Sequence, residues 1–367
     1  MNRSMQSDPE AIARELMADE TLSDGALYLR LSGCTLRLLS NTPALLETLT
    51  DYFSHVVTDV GDADIDIIAI ERDAPELSGL DFIDWKREPG KSGRKDAYVD
   101  LPAGRLIRKV RTGMLFLQSE SHIVAAGPCL ENDNQVINFI NAQYMNWLQH
   151  RGWLICHASG LVSEGRCLGI AGFSGGGKST LMLHLLDHGK IDYLTNDRLF
   201  IQHESAATRA VGIPKLPRVN PGTIVHNPTL HGLIPDARRA ALLQLPPREL
   251  WELEEKFDVH MDRVYGPGRI VAEAPLGVFL VLNWRRDDDA ALVVEAVDLS
   301  KRRDLLGAIM KSPGPFYQYP DGAFLQDDEP FDEQAYLDAL TGVTIYEARG
   351  GVDFDGLIRF CLERLFV

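Results

Sequence analysis

Nowhere in its 367 residues does the chain carry an apolar run long enough to span a bilayer, and its start, MNRSMQSDPE, has no apolar core of the kind a signal peptide needs. A cytoplasmic protein without a membrane partner is expected. Cysteine is scarce: Cys34, Cys129, Cys156, Cys167 and Cys361 are scattered, with no CxxC pair and no histidine at metal-ligand spacing. That argues against a structural zinc site or a disulfide framework and for reduced thiols. Positive charge is short as well. With 37 Lys and Arg against 53 Asp and Glu, the formal net charge is -16. A broad nucleic-acid surface, which needs clustered cations, is therefore disfavoured. The run Lys301-Arg302-Arg303 reads as a solvated helix face.

Hydrophobic residues make up 45% of the chain, enough for a sizeable core, and the length suits two domains. Residues 1–130 read as a smaller α+β accessory domain. A short helix places Ile12, Leu16 and Met17 on one face, and residues 26–39 alternate like a strand pair broken near Ser32-Gly33. Asn41 then offers an N-cap to a helix carrying Leu45, Leu46, Leu49, Tyr52 and Phe53, before a strand over 65–70. After a polar loop at 86–96, three short strands are expected up to about Ala126. No chemical site assembles in this half. Residues 131–367 form the second domain, opening on a helix with Val136, Phe139, Ile140 and Tyr144 inward. A strand over 154–162, a turn at Ser163-Glu164-Gly165 and a strand over 166–171 follow.

That last strand leads into Gly172-Phe173-Ser174-Gly175-Gly176-Gly177-Lys178-Ser179, which fits G-x-x-x-x-G-K-[ST] at every fixed position. Gly172, Gly175, Gly176 and Gly177 allow a close backbone approach, so that N–H groups converge on phosphate oxygens at a helix start. Ser174 and Thr180 complete the expected nucleotide contacts. Lys178 supplies a point charge to the β and γ phosphates, and Ser179 can place its hydroxyl on Mg2+. Leu181, Leu183, Leu185 and Leu186 continue as a helix, and Gly189 stops it.

A helix over 178–188 travels about 16 Å, and a strand over 190–196 returns about 20 Å. Asp197 should therefore emerge beside the loop, near enough to bind the same Mg2+ directly or through water.

In this order the segments resemble the C-terminal kinase domain of HPr kinase/phosphorylase. His157-Ala158-Ser159 matches its histidine-bearing strand, the 172–179 loop its Walker-type loop, Gly189 its helix-ending glycine, and Thr195-Asn196-Asp197-Arg198 its ADDR-like segment. The match spans roughly residues 150–205 and extends loosely to about 285. There Glu255-Lys256-Phe257-Asp258 and Asp262-Arg263 resemble the family's acidic, Arg-containing segment ahead of a strand over 276–282. The stretch Ile213-Pro214-Lys215-Leu216-Pro217-Arg218-Val219-Asn220-Pro221-Gly222 is similar to the group called HPr-kinase-related kinase B. The resemblance implies an α/β fold akin to phosphoenolpyruvate carboxykinase, a P-loop kinase domain on a mixed sheet, and an oligomer. It also implies ATP and Mg2+ and transfer of the γ-phosphoryl group to a hydroxyl. The family's paired aspartates stand here as Asn196-Asp197, so the reverse phosphorylase reaction is not carried over.

On this reading Asp197 is metal contact, base or both, and His157 orients the acceptor or stabilises Mg-bound water. Lys178 completes the catalytic set. Lys215 and Arg218 occupy a Pro-restrained segment that can aim cations at phosphates, Arg218 at the nucleotide, or they are solvated loop charges. Arg263 and Arg269 form a second candidate pair. Asn196 contacts a phosphate or water, or shapes the turn. Gly350-Gly351-Val352-Asp353-Phe354-Asp355-Gly356 is glycine-rich but follows another pattern: Asp353 caps a helix, and no ligand is assigned. The acceptor is read as a Ser or Thr of a partner protein. A small hydroxylated metabolite, or a nucleotide-driven switch with little turnover, is the alternative.

Overall fold

The alternation of residues 26–39 becomes a hairpin in the computed structural model. The structure describes residues 8–366 except 60, 87–92, 174, 206, 254 and 286, and except the side chains of 251 and 252. Strand β1 (Ala26–Leu31) pairs antiparallel with β2 (Cys34–Ser40) across Ser32-Gly33. They join β3 (Ile65–Glu71), β4 (Ile83–Asp84), β5 (Asp96–Leu101), β6 (Gly104–Lys109), β7 (Leu115–Ser119) and β8 (Ile123–Gly127) in one sheet. Its order is β1-β2-β3-β8-β7-β6-β5-β4. The pairs β2–β3 and β3–β8 are parallel and the others antiparallel. Three strands are expected after the polar loop, whereas four form (β5 to β8). The turn at Pro102-Ala103, with Ala103 left-handed at φ 61°, splits one expected strand into a hairpin.

Strand side chains alternate between the faces of a sheet, and β7 shows the consequence. Leu115 and Leu117 join a core with Ile12 and Leu16 of α1 (Pro9–Met17). Phe116 turns to the other face, its ring centroid 5.0 Å from that of Phe139 in α3 (Asp133–Gln149). Full burial of such side chains contributes about 1.5–3 kcal/mol each. Helix α2 (Pro43–Tyr52) lies against β2 and α3. Its N-cap is Thr42 rather than Asn41. The Asn41 amide is engaged elsewhere, accepting from Glu71 N–H at 2.8 Å and donating to the Glu71 carbonyl at 2.9 Å, as a neighbouring strand would.

The chain divides at Gly152, not at 130, because α3 packs on β2 and β3 and so belongs to the first sheet. Ser312–Pro330 returns to this first unit, and Trp153–Lys311 with the residues from Phe331 onward make the second.

The second unit is built on a mixed sheet. Strand β9 (Leu154–Cys156) is separated from β10 (Ala158–Ser163) at His157, where one strand over 154–162 is expected. The reason is a change of partner. Cys156 pairs with Leu199 of β13 (Leu199–Glu204), whereas Ala158 pairs with Ala171 of β11 (Arg166–Gly172), and the intervening His157 N–H is drawn to the Ile309 carbonyl at 2.7 Å. The remaining strands are β12 (Asp192–Thr195), β14 (Ala207–Val211), the short ribbon β15 (Arg218–Val219) with β16 (Phe257–Asp258), β17 (Glu273–Leu282), β18 (Val293–Val297) and β19 (Thr344–Arg349). The main path runs β12-β10-β11-β17-β14-β13-β9. Strand β19 adds to β17 and β18 to β19. β17 runs parallel to both β11 and β19, and Gly172 and Ala348 both pair with its Leu282. Asp353 does cap its helix, accepting from Gly356 N–H at 2.8 Å. Among the described residues no helix is long and apolar enough to cross a membrane.

Candidate active site

Strand β11 ends at Gly172, and α4 (Lys178–Leu186) starts six residues later, the strand-loop-helix order expected. Gly177 caps the helix at φ 83°, a left-handed conformation, and a Cβ there would lie 2.5 Å from Cζ of Phe354. Only glycine meets both demands. Two aromatic residues to which the sequence gives no role at the loop back it. Trp284 donates its indole N–H to the Gly176 carbonyl at 2.8 Å and packs edge-on against Phe354, centroids 5.0 Å apart. Lys178 Nζ donates to the Gly172 carbonyl at 3.1 Å, folding its charge over the loop. The first N–H groups of α4 face the same space, a polarity that favours anions. Thr180 Oγ1 lies 3.2 Å from Thr223 Oγ1. Ser174 falls outside the described residues.

The chain returns to this loop. Strand β12 delivers buried Asn196, whose Oδ1 accepts from Ser179 Oγ at 3.0 Å and from Ser159 Oγ at 2.9 Å. Asn196 is thus a clamp between α4, β10 and the turn. Asp197 follows at φ 69°, an uncommon conformation for a residue with a side chain. Its Oδ1 lies 3.0 Å from His157 Nε2 and its Oδ2 3.4 Å from Lys311 Nζ. Burial among neighbours raises the Asp197 pKa, but the hydrogen bond with His157 and the charges of Lys311 and Arg198 outweigh it and hold the carboxyl far below the usual range. The side chain is nevertheless 48% exposed, against 13% for Lys311.

Lys311 belongs to no motif. It arrives because the preceding Met310 bridges to Cys156 and the Ile309 carbonyl takes the His157 N–H. The strand break at His157 and the lysine are therefore two results of one contact.

The Pro-restrained segment lies against β12: Tyr193 Oη donates to the Lys215 carbonyl at 2.8 Å. Burial, then the charge of Arg198, lowers the Lys215 ammonium to about 7; Asp197 partly offsets this and Arg218 adds to it. Arg218 sits opposite Asp258 in the β15–β16 ribbon, Nε to Oδ1 3.2 Å, and both side chains are about a third exposed. Arg269, expected as a candidate phosphate ligand, is instead a structural clamp. It pairs with Asp192 at 3.1 Å and donates to the carbonyls of Leu186 and Ile191, where α4 gives way to β12. Arg263 lies exposed on the short helix Met261–Val264.

Among the described residues no group of three His, Cys, Asp or Glu is placed to hold a metal ion. The oxygen donors present suit Mg2+, which uses one or two protein ligands and completes its shell with water and phosphate. Ser179 gives its proton to Asn196 and keeps its lone pairs, and Asp197 carries an ionised carboxylate. Burial pushes the Cys34, Cys129 and Cys361 thiols up to about 12, which leaves them as core packing.

No family model matches the chain, and no curated protein matches it. Among solved structures, the Hpr(Ser) kinase/phosphatase from Coxiella burnetii aligns over 57% of this chain and 87% of its own, at 12% identity and a TM-score of 0.27. That likeness is distant and assigns no chemistry to this chain.

Proposed function

We propose that the second unit is an ATP-dependent kinase of the P-loop type, on a phosphoenolpyruvate-carboxykinase-like sheet, that moves the γ-phosphoryl group to a Ser or Thr hydroxyl of a partner protein. The observation carrying this is the 3.0 Å hydrogen bond from Ser179 to Asn196. It fastens the first turn of the helix after the glycine loop to the residue before Asp197, which supports reading the loop and the ionised carboxylate as one site. The 172–179 backbone would hold the triphosphate, with Lys178 and Thr180 at its oxygens. Ser179 and Asp197 would hold Mg2+, which neutralises charge on the phosphates when bound. The acceptor oxygen bonds to Pγ as the bond to the β–γ bridging oxygen breaks, ADP leaves, and the hydroxyl proton passes to the His157–Asp197 pair. Lys311 holds the carboxylate in its turn.

Incubation with Mg2+, γ-labelled ATP and cell extract tests the reading. Label should enter a protein band and vanish with Lys178→Ala. Label in small molecules alone would make the acceptor a metabolite, and ATP binding without transfer or hydrolysis would defeat the kinase reading.

A further inference from the structure

The stretch from Gly350 to Gly356, given no ligand from sequence, borders a cavity beside the glycine loop. Gly172 and Ala348 both pair with Leu282, so the carboxyl ends of the three parallel strands β11, β17 and β19 come out along one sheet edge. Ligands of open α/β sheets lie outside such ends. At a spacing of about 4.8 Å per strand, β11 and β19 end about 10 Å apart, close to the span from a β-phosphate to a nucleobase.

Beyond β19, Gly350 and Gly351 let the 288–291 segment approach. A Cβ at either would fall 2.4 Å from the Ala291 carbonyl oxygen or 2.5 Å from that of Asp288. Between these segments opens a cavity of about 880 Å³, whose lining includes Asp288, Asp289, Val294, Asp353, Phe354 and Phe360. Its volume suits a small ligand. One wall is shared with the phosphate loop, because the Phe354 ring lies against Gly177 and against the Trp284 that holds Gly176. The chemistry is complementary to that of the loop. None of the described lining residues is Lys, Arg or His, so a phosphate is disfavoured there. Aromatic and aliphatic walls suit a planar base, and carboxylates accept from ribose hydroxyls or an exocyclic amine.

We infer that this cavity is the subsite for the purine nucleoside of the triphosphate held by the 172–179 loop. The inference rests on the nucleotide reading of that loop. Calorimetry of the full chain with Mg·ATP, Mg·GTP and Mg·tripolyphosphate separates the two. At least one nucleotide should bind about tenfold or more tighter than tripolyphosphate, equal to about 1.4 kcal/mol. The preferred nucleotide identifies the base. Val294→Trp, which fills the cavity from β18, should erase the difference and leave tripolyphosphate affinity unchanged; Val352→Trp fills it from another wall should the first variant fold poorly. Equal binding of all three ligands by the wild-type chain, or an unaltered nucleotide preference in a folded filled variant, overturns the subsite and leaves the loop reading standing. If none of the three binds, the loop reading falls and the subsite with it.

Discussion

Arg105 in the first unit and Asp197 in the second are both charges held by several partners, yet they are held in opposite ways. The Arg105 side chain is fully buried. Its guanidinium grips Asp100 through two nitrogens, donates to the carbonyls of Pro315 and Leu325, and lies over the Tyr98 ring, 4.3 Å from its centroid. Its bonds close on its own unit and pin the returning 312–330 segment. Asp197 is half exposed, sits in a left-handed conformation and has basic groups at both oxygens. A buried charge with its bonds closed serves the fold. A charge kept ionised at an open face, with backbone strain accepted to place it there, is what a reacting site requires.

Replacing each residue should separate the two roles. Asp197→Asn should lower phosphoryl transfer by about 10³-fold, the scale seen when a charge facing a transition state is lost. It should leave much of the nucleotide affinity; asparagine tolerates the left-handed region, but the melting temperature should fall because His157 and Lys311 lose the charge that pairs with them. Transfer rates beside calorimetric ATP binding measure this; an unaltered rate removes Asp197 from the site and erases the contrast. Arg105→Met keeps volume but deprives two carbonyls and a carboxylate of their donor. Urea unfolding should show a loss of about 3 kcal/mol. A loss below about 1 kcal/mol, the range of an ordinary surface pair, would mean that the pin is dispensable.

The placement of the glycine loop and its return turn is legible in the sequence because both are local. The loop has fixed residue types at fixed spacing, and the return is one helix length against one strand length. Lys311, Trp284 and Phe354 are illegible for the opposite reason. Each is brought in by a tertiary contact: the Met310 bridge, the indole bond to Gly176, the ring on Gly177. Strand existence reads well from alternation, but partners do not, since β17 pairs along its length with β11, β14 and β19. His157 is legible as a strand residue, and the break there is not, because it marks a change of partner. Asn41 and Arg269 carry the right chemistry for a cap and an anion ligand, but nearby backbone groups take both.

Lys215 extends the contrast, since it is a half-buried cation near other cations. Burial and Arg198, with Arg218 behind them, bring its ammonium from 10.5 to about 7 in the folded chain, against the pull of Asp197 and Asp258. Between those two values the unfolded chain binds a proton that the native chain has released, so this group makes stability rise with pH. Below about 7 both states are protonated and the native state carries the whole burden of a charge half-buried among like charges. Lys215→Met removes that burden. The variant should be more stable than the wild type near neutral pH, and its advantage should shrink steadily as pH rises towards 10.5. Urea midpoints across that window measure the difference. A constant difference would show that Lys215 keeps its proton, so that it stands in solvent rather than packed beside Asp197.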